Sequence, residues 1–77
     1  MSELPAITGR EAIRAFESLG FAVERVHGSH HILRKPGFRY VLTVPVHGST
    51  ALKPGLLNGL IRTAGISRDE FLAALRR

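Results

Sequence analysis

Two hydrophobic rhythms meet at Gly20, and that boundary constrains the fold more than any other feature of the chain. Before it, Ala12, Ile13, Phe16 and Leu19 recur at the spacing that lines one face of an α-helix. After it, residues 21–46 follow the period of two that suits a half-buried β-strand. A third apolar pattern, Leu56, Leu57, Leu60, Ile61 and Ala64, returns to helical spacing. Such a chain must build a sheet and pack helices on it.

Local signals place the elements. Thr8 and Glu11 form a T-x-x-E capping box, and Gly20 suits a left-handed C-cap, which predicts a helix over 9–19. Residues 21–26 read as a first strand, His27-Gly28 as a tight turn, and 29–34 as a second strand. Lys35-Pro36-Gly37-Phe38 has the residues of a type II turn. That turn twists the wrong way for a two-residue hairpin, so the connection is expected to be longer than it looks. Residues 39–46 read as a third strand, with Tyr40, Leu42, Val44 and Val46 facing one way and Val41 and Thr43 the other. Pro45 lacks a ladder donor and marks an edge or a strand end.

After a loop over 47–52, Lys53-Pro54-Gly55 opens a second helix that Gly65 ends. Ser67 and Glu70 repeat the capping box for a short third helix, stapled by Ile66 and Phe71 and docked by Phe71, Leu72 and Leu75. The order is α-β-β-β-α-α. It predicts an α+β fold in which helices cover one face of a three-stranded antiparallel sheet and leave the other open.

Seventy-seven residues are expected to form a single domain, 1–77, around one core. With no cysteine there is no disulfide framework and no Cys-based zinc site. No apolar run approaches a membrane span, and the N-terminus lacks the order of a signal peptide, so a soluble cytoplasmic protein is expected. Eleven Lys and Arg against six Asp and Glu give a net charge of +5, which favours polyanionic partners, nucleic acid above all.

The residues able to do chemistry are few. All four histidines, His27, His30, His31 and His47, fall in the strand region and the loop after it. Histidine exchanges protons near neutral pH, although a strand histidine is as often a hydrogen-bonded surface residue. His30 and His31 are adjacent in a strand and must face opposite ways. That facing, and the lack of H-x-H or H-x-x-x-H spacing, argues against zinc. No G-x-S-x-G elbow accompanies Ser29, no paired carboxylates stand out, and no phosphate-cradling glycine loop is written. What remains is metal-free RNA cleavage, in which the substrate's own 2′-OH is the nucleophile. An imidazole and nearby cations suffice to move protons and stabilise the phosphorane.

The series G-F-x-x-x-R-x-x-G-S-H-H from Gly20 to His31, T-V-P-V-H-G from Thr43 to Gly48, L-K-P-G from Leu52 to Gly55 and A-G-I-S-x-x-E-F-L from Ala64 to Leu72 resembles the HicA family of bacterial and archaeal toxins. The resemblance runs from Gly9 to about Leu75, with all four pieces in register. It implies a double-stranded-RNA-binding-domain-like fold and a toxin of a toxin–antitoxin pair active in stress responses. It also implies a metal-independent endoribonuclease, or mRNA interferase, that needs no cofactor. The implied partners are mRNA and a HicB-type antitoxin, with DNA met only indirectly through the antitoxin. The catalytic histidine it implies is the one directly after Gly-Ser, His30, while the opposite facing of His31 suggests packing.

Around His30, Ser29, Arg34, Lys35, Arg39 and Lys53 are candidate RNA contacts, as is Arg25. Lys53 stands beside a helix N-terminus, where free N–H groups also attract phosphate. Gly28 is expected to serve the hairpin backbone. Phe38 and Tyr40 could stack bases, and His47 could assist, but turn packing and an idle loop position are the simpler roles. The competing reading is a non-catalytic RNA-binding module of the same fold. A third is an interaction protein whose open sheet face serves the antitoxin.

Overall fold

The structure, a computed structural model, describes residues 4–77. Its elements follow in the expected order: α1 (Gly9–Ser18), β1 (Ala22–His27), β2 (His30–Arg34), β3 (Leu42–Pro45), α2 (Pro54–Ala64) and α3 (Arg68–Leu75). The three strands form one antiparallel sheet in the order β1-β2-β3, so β2 is central.

Both capping boxes form. Thr8 Oγ1 accepts from the Glu11 N–H at 3.2 Å, and Glu11 Oε1 accepts from the Thr8 N–H at 2.9 Å. Ser67 and Glu70 do the same for α3, at 3.0 and 2.8 Å. Helix α1 ends one residue earlier than expected, at Ser18, in a Schellman pattern. The Gly20 N–H bonds to the Glu17 carbonyl and the Phe21 N–H to the Phe16 carbonyl, both at 3.0 Å. The apolar contact that goes with this motif is Phe21 against Phe16, ring centroids 5.9 Å apart and edge to face.

One buried cluster joins the elements. Leu33, Leu42 and Val44 on the sheet meet Ala12, Ala15 and Phe16 of α1, Leu57, Leu60, Ile61 and Ala64 of α2, and Phe71 and Ala74 of α3. Helices α1 and α2 both pack on β3, and α3 packs on α1 through Phe16 and Phe71, whose ring centroids lie 5.1 Å apart. Leu56 stands at the margin of the expected stripe, about 100° around the helix from Leu57, and is 39% exposed. Docking of α3 rests on Phe71 and Ala74, with Leu72 and Leu75 only half-buried.

The sheet departs from the expected strands at β3 and within β1. Strand β3 begins at Leu42, not Arg39, and ends at Pro45. The Phe38 N–H bonds the Lys35 carbonyl at 3.0 Å around Pro36-Gly37, closing the type II turn, and its twist parts the chains until Leu42 meets Leu33. Tyr40 therefore lies outside the strand, 53% exposed. In β1, Val23 pairs with Leu33 and Arg25 with Ile32, so Glu24 is the extra residue of a β-bulge.

Candidate functional site

The β1–β2 hairpin turns through Gly28-Ser29, one residue later than expected, and His27 pairs directly with His30. Gly28 has φ +58°, and among the described residues only glycines have positive φ. A positive φ at the first central position alone is the pattern of a type II′ turn, whose twist matches that of the strands. Gly28 is thus the backbone residue this hairpin requires, and no described atom would touch a β-carbon there.

From this turn β2 runs up the middle of the sheet. Leu33 is fully buried on the helix-covered face, so His31, two residues away, shares that face, while His30, Ile32 and Arg34 take the open one. His30 is exposed, and its ring makes no hydrogen bond to any described residue. His31 is half-buried, with Nδ1 3.4 Å from the Ser29 carbonyl. It lines a groove of about 420 Å³ together with Arg10, Ile13, Arg14, Glu17 and Val23. The Ser29 carbonyl also accepts the Val46 N–H at 2.7 Å, which continues the β2–β3 pairing one step beyond Pro45. Ser29 is therefore tied through its backbone to β3 and to His31.

On its other flank His30 pairs with Pro45. Pro45 stands on an edge strand, where a missing outward N–H leaves no ladder bond empty. Beyond Pro45 opens a cavity of about 230 Å³, lined by Pro45, His47, Thr50, Ala51, Leu52, Lys53 and Leu56. Lys53 is the N-cap residue of α2, with no side-chain cap bond, and Pro54 follows it inside the first turn. The loop bearing His47 and Lys53 is fastened at its far end, where the Leu52 N–H bonds the Ile7 carbonyl at 2.7 Å.

The structure thus gathers Gly28, Ser29, His30, His47 and Lys53 at one end of the sheet. It places Arg34, Lys35 and Arg39 at the other. Arg34 holds Glu24 through a 2.8 Å ion pair. The Lys35 ammonium lies 5.4 Å from the Phe21 ring and 5.9 Å from that of Phe38, and the Arg39 guanidinium lies 5.6 Å from the Tyr40 ring. Arg25 is nearer the histidines: it shares their open face, is exposed, and makes no ion pair with a described residue.

His27 is the residue that sequence reading left without a place in this cluster. Strict alternation from Phe21 puts it on the covered face, and the bulge at Glu24 turns it to the open one. The signal was present in the spacing of Val23 and Val26, three apart and so out of phase with a regular strand. Among the described residues no group of three His, Asp or Glu side chains stands close enough to hold a metal ion. No helix among them is long and apolar enough to cross a membrane.

A protein-family model described as the HicA toxin of bacterial toxin–antitoxin matches residues 9–66, the stretch from the first residue of α1 to the staple residue of α3. A search of curated proteins returns no match. With the G-S-H of the hairpin and the whole sheet inside the matched stretch, the chain belongs to the HicA toxin family.

Proposed function

We propose that the chain is a metal-independent endoribonuclease of a cytoplasmic toxin–antitoxin pair, acting on mRNA through His30. The observation that carries this reading is the position of His30. It is an exposed imidazole with no described hydrogen-bond partner, at the start of the central strand, on the face that the helices leave open.

RNA supplies its own nucleophile. The 2′-oxygen attacks the adjacent phosphorus, the bond from phosphorus to the 5′-oxygen breaks, and the products end in a 2′,3′-cyclic phosphate and a 5′-hydroxyl. The 2′-OH proton must leave and the 5′-oxygen must gain one, and an imidazole at the scissile phosphate serves these transfers. Charge that builds on the phosphorane calls for cations. Arg25 on the same face and Lys53 at the α2 N-terminus are the candidates, with free helix N–H groups behind Lys53. Ser29 acts through the backbone of the turn, and Gly28 and His31 hold its shape. Arg34, Lys35 and Arg39 contact RNA further along the strand. A HicB-type antitoxin inhibits by covering the open face.

The test is cleavage of end-labelled mRNA in EDTA by the purified chain, with His30→Ala alongside. Cyclic-phosphate ends that form with the wild type and vanish with the variant are expected. Equal RNA binding by both proteins with no cut strand would overturn the nuclease and leave the non-catalytic RNA-binding module.

A further inference from the structure

We infer that His27 is the second proton carrier of the site, so that His27 and His30 divide between them the two proton transfers of RNA cleavage. This rests on the nuclease reading above, and it replaces one histidine with a pair.

The geometry comes from the hairpin. His27 and His30 are the residues on either side of the two-residue turn and are each other's direct partners in the ladder. Directly paired residues of antiparallel strands put their side chains on the same face, with β-carbons about 4.5–5.5 Å apart. Both are exposed, and neither ring is bonded to a described residue. A phosphate with its 2′- and 5′-oxygens on opposite sides of phosphorus can rest between two imidazoles so placed, one near each oxygen.

The chemistry gives such a pair two places to act at the same time. In-line displacement takes a proton from the 2′-oxygen on one side while the 5′-oxygen leaves on the other, so a single ring cannot reach both at once. One neutral imidazole accepts the 2′-OH proton, one imidazolium donates to the 5′-oxygen, and exchange with water restores both. Among the described residues no other proton carrier on this face competes. β1 adds Arg25 and Glu24, the latter held by Arg34 of β2. β3 adds only Thr43 and Pro45. His47 stands beyond Pro45, on the cavity side.

The decisive experiment uses the full chain, His27→Ala and His30→Ala, with two RNA oligonucleotides. One is ordinary. The other carries sulfur in place of the bridging 5′-oxygen at the mapped cleavage site, and sulfur leaves without needing a proton. On ordinary RNA, His27→Ala should lower the cleavage rate about 10²–10⁴-fold and remove one limb of a bell-shaped pH–rate profile. A cooperative melt checks that the variant is folded. The sulfur substrate should restore near-wild-type cleavage to one of the two variants and not to the other, which identifies the acid.

Restoration of both variants, or of neither, would overturn the division of labour. Wild-type rates and an unaltered pH profile in His27→Ala would overturn the inference and leave His30 alone at the site. Failure of the wild type to cut ordinary RNA would remove the nuclease reading and this inference with it.

Discussion

Gly9, the first residue of α1, lies so close to the carbonyl oxygen of Pro45 that a β-carbon would collide with it. Pro45 is in turn the ladder partner of His30. The helix start, the end of β3 and the candidate site are therefore joined by backbone contacts. Gly9→Ala must push α1 and β3 apart. It should cost about 1–3 kcal/mol, the usual range for overpacking, or several degrees of Tm in a domain this small. A thermal melt checks it, and an unchanged Tm would mean that the backbone yields freely.

Leu57 is almost fully buried, where α2 meets the core beneath β3. Leu57→Ala should cost about 2–5 kcal/mol, a large share of the stability of a small domain. Leu56→Ala, one residue earlier and exposed, should change Tm little. Denaturant unfolding of the two variants side by side tests the orientation of α2.

Gly28→Ala forces an alanine into φ +58°. The expected cost is about 1–2 kcal/mol, from steric conflict rather than from any lost contact. Cleavage should fall more than this small loss of fold suggests, because the turn sets the pairing of His27 with His30. Ser29→Ala keeps the backbone bonds of the turn and should fold and cut like the wild type. Parallel melts and cleavage rates distinguish the two.

The Glu24–Arg34 ion pair is about half exposed on both sides, so Glu24→Ala should alter stability by less than about 1 kcal/mol. It also releases Arg34. If Arg34 reaches RNA, affinity should rise and the salt dependence of binding should steepen by up to about one phosphate contact. Arg25→Ala should flatten the same dependence. Titrations at several salt concentrations read both slopes.

A bound antitoxin should protect the open face. Amide exchange of the free toxin and of the complex should show protection at the hairpin and at β2 around His30. A complex that leaves this region as exchangeable as before would require inhibition from a distance.

How far the sequence foretold the molecule depended on whether a signal was local. Thr8 with Glu11, and Ser67 with Glu70, fixed two helix starts because a capping box is completed within four residues. The opposite facing of His30 and His31 followed from strand alternation alone. The misses needed knowledge of partners. Arg39 and Tyr40 continue the alternation of β3, yet a strand exists only where β2 lies opposite, and the turn at Pro36-Gly37 has led β2 away. Leu56 is as apolar as Leu57, and only the position of the core decides which of them is covered. His27 changed faces through a single unpaired residue at Glu24. The roles of the site residues had no local signature beyond the Gly-Ser-His run itself.

The lopsided core sets one further property of the site. None of the six β1 residues is buried, and the helices pack most closely on the sheet at β3, on the far side. β1 is held by its ladder to β2 and little else. Its free energy of local opening should thus lie well below that of the whole fold, so its amides should exchange long before those of Leu33 and Val44. His30 rides on the firm strand and His27 on the loose one. Half of the open face should therefore open and close again while the rest of the molecule stays folded.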